Sequence, residues 1–256
     1  MAPSDILASK RLGHHAGPAC QPHFGTSPAP SGTQAASTAT PADPYSNFSR
    51  ADLEAALAAA RPWPAPGKRL RYSNFGAALL GEALSRHDGI PFEQVIYNRV
   101  TAPLGLPETH IQRRPEFGDR YIQAHSRGHR PIPDWDLGSM PGAGALRSTA
   151  HDLLEFDHQN LVPGDSRKPE ALITAQQPRA KANRWVQVRL GWHLSPLRGT
   201  PHTVLCHNGA TAGSTSYLGL LPELEAAVVV LSNAGRTVDA LGVRLLIGIE
   251  KTLRLS

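Results

Sequence analysis

Residues 203–232 read TVLCHNGATAGSTSYLGLLPELEAAVVVLS. Three runs here are rich in apolar and β-branched residues: Thr203–His207, Ser214–Leu221 and Ala226–Ser232. Each has strand length, and Pro222-Glu223 between the last two predicts a hairpin. The first two runs flank His207-Asn208-Gly209-Ala210-Thr211-Ala212-Gly213. Glycine in a strand lets another backbone approach closely. A strand edge facing a cleft can also donate N–H groups to an oxyanion. A Gly-rich hairpin turn is the plainer reading of the same residues.

Upstream, Trp185–Leu194 reads as a further strand. Downstream, Leu241, Leu245, Ile249 and Leu253 recur near helical spacing and predict a closing helix over 237–252. The preceding half is helical. Ser49-Arg50-Ala51-Asp52 has capping-box character, with Leu53, Ala56, Leu57 and Ala60 following on one face. Pro62, Pro64 and Pro66 stop that helix. Ser73 can cap a second helix bearing Phe75, Ala78, Leu79 and Ala83, which His87-Asp88-Gly89 closes. Pro91 opens a third, with Phe92, Val95 and Ile96 inward. Residues 106–147 read as loop, Thr149-Ala150-His151-Asp152 starts another helix, and 163–183 read as a polar stretch. Helices followed by an antiparallel sheet and a terminal helix predict an α+β fold.

Composition narrows the function classes. The chain has 256 residues with 18% charged and 40% hydrophobic, enough for a sizeable core. No run of eighteen apolar residues exists, so no membrane span is expected. Residues 1–10 show no basic segment leading into an apolar run. Cys20 and Cys206 alone make neither a disulfide framework nor a Cys-rich zinc site. The twelve histidines are scattered, and no metal or cofactor is expected. The net charge of +5 raises nucleic acid as a partner. However, Arg113, Arg114, Arg120, Arg127 and Arg130 are interrupted by Pro, Gly and acids and lack interleaved aromatics, so a solvated surface is expected instead. Residues 11–41, with little apolar patterning, are expected to be disordered, and the folded domain to occupy 42–256.

Arg71-Tyr72-Ser73-Asn74-Phe75-Gly76 stands where an extended segment meets a helix start. A tyrosine there can face a cleft and serve as a general base if neighbouring cations lower its pKa. Simple packing at a helix start is the plainer reading. Gly142-Ala143-Gly144-Ala145-Leu146-Arg147-Ser148-Thr149-Ala150 is a Gly-rich lead into a capped helix.

The order of these pieces is more specific than any one of them. Tyr-x-Asn at a helix start, then a Gly-rich Ser-Thr-Ala helix entry, then His-x-Gly on a late strand resembles the serine β-lactamase and penicillin-recognising hydrolase family. The likeness is to its class C β-lactamase, D-Ala-D-Ala carboxypeptidase and esterase branch and covers roughly residues 42–253. It implies a β-lactamase/transpeptidase-like fold and a small-molecule or peptide substrate. By the same resemblance, Tyr72 takes part in proton transfer to and from the nucleophile and leaving group. Asn74 binds the substrate's amide side chain, and His207 polarises the site. Gly209 and Ala210 lie along the substrate strand, with the Ala210 N–H as one oxyanion donor. The reaction implied is acyl transfer through a serine ester, followed by hydrolysis.

The family's nucleophile lies in Ser-x-x-Lys. Lysine occurs here only at positions 10, 68, 168, 181 and 251, and three residues before each stand Leu7, Ala65, Asp165, Pro178 and Gly248. The motif is therefore absent from these residues, as is a Gly-x-Ser-x-Gly elbow. Measured against the family, the chain is expected to lack the first helix and first strands. Written in GC-rich codons, residues 13–22 can be re-read in a shifted frame as a segment like the family's Thr-His-Thr-Ser-Gly-Leu-Pro. Residues 11–41 are accordingly expected to be out of frame. An unpaired sheet edge should follow, with a tendency to aggregate.

Overall fold

The fold is known from a computed structural model that describes residues 43, 45, 47–60, 72–162 and 170–255. The segment 1–41 and the prolines at 62, 64 and 66 lie outside the described residues.

Helix α1 (Arg50–Ala59) begins where the capping box places it. The Ser49 side chain accepts from the Asp52 N–H at 3.2 Å, and the Asp52 carboxylate accepts from the Ser49 N–H at 2.9 Å. Helix α2 (Asn74–Asp88) is capped by Ser73, which accepts from the Gly76 N–H at 3.0 Å, and ends at Gly89 with φ 70°. A left-handed residue there is nearly free of strain only for glycine. Helix α3 (Phe92–Ile96) runs on through a π-helical turn, Tyr97–Thr101. Leu53, Ala78 and Met140 form the core of this helical unit, with Tyr45, Phe48 and Phe75 packed around it. Leu57, expected on the inner face of α1, is 52% exposed.

Glycine makes the docking of α2 close. A Cβ on Gly142 would stand 2.6 Å from the Ala77 carbonyl oxygen, a backbone atom that cannot rotate away. Gly142 lies in the 3-10 turn Pro141–Ala143, so α2 rests directly on that turn. Gly142→Ala is expected to cost about 1–3 kcal/mol by forcing α2 outward. A thermal melt unchanged from that of the parent protein would refute this.

Residues 106–147 are mostly loop, as expected, apart from two 3-10 segments (Pro115–Arg120 and Pro141–Ala143). Helix α4 (Ala150–Leu161) then starts at Thr149, whose hydroxyl accepts from the Asp152 N–H at 3.2 Å. The buried Asp152 carboxylate also accepts from the Glu108 N–H (2.9 Å) and the Thr109 hydroxyl (2.8 Å). One side chain thereby pins the loop to the helix. The polar stretch beyond it contains a short helix, α5 (Glu170–Ala175), and a first strand, β1 (Ala180–Lys181).

Among the described residues the sheet has six antiparallel strands in sequential order, β1 to β6. The single strand expected over Trp185–Leu194 is in fact broken into β2 (Gln187–Val188) and the start of β3 (His193–Pro196). Gly191, at φ 77°, turns the chain between them. Strand β4 (Thr203–Ala210) is longer than expected and takes in the whole His-Asn-Gly-Ala motif, leaving Ala212-Gly213 as the turn into β5 (Thr215–Leu221). Strand β6 (Ala226–Ser232) follows the predicted hairpin and forms the outer edge among the described residues.

Helix α6 (Asp239–Leu255) packs on one face of the sheet, where Val204, Cys206, Tyr217 and Leu246 form the core. Phe156 and Leu161 of α4 cover the other face, against Trp192, Leu205 and Leu220. The inward seam of α6 is only partly the one the spacing suggests, since of Leu241, Leu245, Ile249 and Leu253 only Ile249 packs on this core. Gly242, Leu246 and Glu250 are buried, whereas Leu241 and Leu245 are 50% and 45% exposed. The rotation has a steric cause, because Gly242 is where the Tyr217 ring enters the helix surface. Among the described residues no helix is long and apolar enough to cross a membrane.

Candidate active site

The β4 register determines what His207–Ala210 can present. Strand β3 pairs with β4 only from Thr203 to Cys206. Strand β5 pairs with β4 from Leu205↔Leu220 through to the end of the motif at Ala210↔Thr215. From His207 onward, then, one edge of β4 is open among the described residues. The Thr211 N–H donates to the Ser214 carbonyl at 2.9 Å. Antiparallel pairs alternate between hydrogen-bonded and non-hydrogen-bonded, so the Ala210 and Asn208 amides face away from β5, toward the open edge. Gly209 lies between them, where a Cβ would stand 2.9 Å from the Ser216 Oγ.

Side-chain alternation sorts the rest of the motif. Cys206 is completely buried in the α6-side core, and Asn208 shares its face. The Asn208 amide donates to Asp239 Oδ1 at 2.6 Å, tying β4 to the start of α6. His207 lies on the opposite face. Its ring stacks on His193 with centroids 5.7 Å apart. Burial lowers the His207 pKa first, and the neighbouring His193 lowers it further. Burial lowers the His193 pKa as well. Both imidazoles are therefore neutral at pH 7, and His207 offers a ring N–H or a lone pair rather than a cation.

Tyr72 and Asn74 sit at the start of α2 on either side of the cap Ser73. Tyr72 is 49% exposed. Burial of its inner half raises the phenol pKa, and Tyr45 raises it further. The condition set for a phenolate base, nearby cations that lower the pKa, is not met among the described residues. Tyr72 is a neutral phenol at pH 7. The five expected residues thus form two groups, Tyr72 with Asn74 at the start of α2 and His207, Gly209 and Ala210 on β4. They belong to different packing units.

A groove of about 570 Å³ opens among residues 111–113, 123 and 133–147. None of the five expected residues lines it. Arg113, Gln123, Asp134, Trp135, Pro141 and Arg147 do. Sequence reading treated Arg113 as solvated surface and gave Asp134 and Trp135 no role. It also missed His193, whose position opposite Cys206 follows only once the Gly191 turn is recognised. Among the described residues, no three His, Cys, Asp or Glu side chains converge to hold a metal ion.

The sequence model of the Beta-lactamase family matches residues 26–248. The chain belongs to the beta-lactamase family. Among curated proteins it is 27% identical over 180 residues to the Escherichia coli K12 D-alanyl-D-alanine-carboxypeptidase/endopeptidase AmpH, covering 65% of this chain and 46% of that one. It is 28% identical over 172 residues to the human Putative beta-lactamase-like 1, covering 65% and 34%. The chain thus spans about half or less of these relatives. Among solved structures, a Pseudomonas syringae Beta-Lactamase/D-Alanine Carboxypeptidase superposes with TM-score 0.70 at 21% identity, covering 79% of this chain and 65% of that one. A Sulfitobacter beta-lactamase gives TM-score 0.71 at 23% identity, covering 81% and 66%. These likenesses establish a beta-lactamase/transpeptidase-like α+β fold, with the antiparallel sheet and flanking helices the sequence predicted.

Proposed function

We propose that these residues carry the substrate-recognition half of a β-lactamase-type acyl-transfer site. The substrate class is a β-lactam, a D-alanyl peptide or an ester. In this reading Asn74 holds the amide side chain of the acyl group and the open edge of β4 lies along the substrate. The Ala210 N–H donates to the carbonyl oxygen, and Gly209 lets the substrate backbone come close. Neutral His207 donates or accepts a hydrogen bond beside it. Tyr72, as a phenol, donates to the leaving-group atom. The observation that carries the reading is the open edge of β4 from His207 to Ala210, with the Ala210 amide directed outward from it.

Acylation is a separate matter. These residues contain no Ser-x-x-Lys to supply the family's nucleophile, and losing such a nucleophile costs about a millionfold in rate. Cys206 does not replace it, being wholly buried on the face opposite His207. The 256-residue polypeptide is therefore expected to bind without turning over, as a peptide- or peptidoglycan-fragment-binding protein would. Incubation with a fluorescent penicillin followed by a denaturing gel should show no covalent band, and a labelled band would overturn the inactive reading. Calorimetric titration with an acyl-D-Ala-D-Ala peptide should show saturable binding that Asn74→Ala weakens. No heat of binding would remove the recognition site itself.

A further inference from the structure

Arg113, Arg147 and Asp134 meet at the groove. Asp134 Oδ2 lies 3.4 Å from the Arg113 guanidinium and 3.8 Å from that of Arg147. Both separations are long for ion pairs, and one carboxylate faces two guanidinium forks. Arg147 also donates to the Ile111 carbonyl, and Arg113 lies over the Tyr121 ring at 4.6 Å. Each fork has five N–H donors, so donors remain that these contacts do not use. The other nearby carboxylates are occupied: Asp136 accepts from the Gly138 N–H at 2.9 Å, Glu93 from the Ile111 and Gln112 N–H groups at 3.0 and 3.2 Å, and Asp43 from the Asp136 N–H at 2.8 Å. The groove thus combines spare guanidinium donors, the indole of Trp135 and the Gln123 amide around a volume suited to a small ligand.

Its walls reach both halves of the candidate site. On one side Trp135 meets Tyr45 edge-on at 5.4 Å, and Tyr45 is close enough to raise the Tyr72 pKa. Pro141, in the same wall, opens the turn on which α2 rests. On the other side the Gln123 carbonyl accepts from the Asn233 amide at 2.9 Å. Two residues on, the His125 N–H donates to the Asn233 carbonyl at 2.9 Å and lies 3.4 Å from that of Gly213, in the β4–β5 turn. A substrate held between Tyr72 and β4 would have this groove beside it.

From this geometry we propose that the groove is an extended subsite for a carboxylate-bearing peptide arm of the acyl substrate. One carboxylate of the arm pairs with the spare donors of Arg113 and Arg147, and its apolar part lies on Trp135. Planar guanidinium groups favour a carboxylate over a neutral amide by charge-assisted, bidentate hydrogen bonds. The proposal rests on the reading above for the position of the acyl group, and the test separates the two.

Three peptides are titrated into the full chain by calorimetry. The first carries a free side-chain carboxylate and ends in D-Ala-D-Ala. The second is its side-chain amide, and the third keeps the carboxylate but ends in L-Ala-L-Ala. The first is expected to bind about tenfold tighter than the second. Arg113→Gln, at a side chain 56% exposed, should abolish that preference without unfolding the protein. Equal affinity for the first two peptides overturns the subsite while leaving the D-alanyl reading intact. A carboxylate preference with the third peptide bound as tightly as the first keeps the subsite and overturns the D-alanyl reading. Binding of none of the three overturns both.

Discussion

Asp157→Asn is expected to stabilise the protein, by an amount that grows from nothing at pH 4 to its full size above about pH 8. Asp157 lies on the sheet-facing side of α4, with no exposed surface and no hydrogen-bond partner for either carboxylate oxygen. Burial alone raises its pKa from the ordinary 3.8 to about 8. In the folded state the carboxyl keeps its proton through neutrality, while in the unfolded chain it gives the proton up near pH 4. Between these limits the native state binds more protons, so stability falls as pH rises. Below pH 4 both states are protonated and the group contributes no slope. Above about pH 8 the full cost of a buried anion is present. Asparagine resembles the protonated carboxyl in shape and charge, so at pH 4 the variant should match the parent. Each tenfold change in acidity is worth about 1.4 kcal/mol. Relaxation and water entry reduce the sum, leaving about 2–4 kcal/mol at pH 9 and a melting temperature higher by about 5–10 °C. Equal melts of parent and variant across pH 5–9 would show that Asp157 is not held as an acid.

The opposite sign is expected at Gly242. A Cβ built there would stand 2.8 Å from the Tyr217 Cγ and nearer still to two other ring carbons. Tyr217 is completely buried at the centre of the α6-side core and cannot swing aside. Gly242→Ala should therefore cost at least about 3 kcal/mol, despite alanine's better helix propensity of about 1 kcal/mol. Losing α6 would also release Asp239 from Asn208 and so disturb β4. Because the fault is a single clash, adding Tyr217→Leu should recover part of the loss. A double-mutant cycle with no coupling between the two sites would show that the clash is not the cause.

These two residues show where sequence reading reached its limit. The capping box at Ser49, the N-cap at Thr149, the left-handed Gly89 and the β5–β6 hairpin are all legible, because each is decided within a few residues. At Thr149 only half of the expected box forms, since the Asp152 carboxylate is drawn to Glu108 and Thr109. The α6 seam is not legible in this way. Leucines at 241 and 245 give the stronger apolar signal, but the packing is decided by a ring 25 positions earlier in the chain that needs a glycine opposite it. The strand expected over Trp185–Leu194 is broken for a more local reason, since Gly191 at φ 77° turns the chain where a continuous strand needs extended backbone. The candidate site was legible only as an order of motifs. That order was enough for the family and for β4. It carried no sign of the groove, whose Arg113, Asp134 and Arg147 come from separate parts of a loop with no periodicity.

The contacts of residues 123–132 also bear on engineering. This loop hydrogen-bonds to Asn233 and Gly235, and Gly213 leaves no room for a side chain because a Cβ would stand 2.7 Å from the His125 carbonyl oxygen. Loop, turn and the end of β6 therefore form one cassette drawn from three stretches of sequence. Recombination among relatives that exchanges 123–132 alone would set a foreign loop against a native turn. Crossovers that also carry 211–214 and 233–235 would move the whole interlocked piece, and chimaeric libraries built on this scaffold should place their breakpoints to do so.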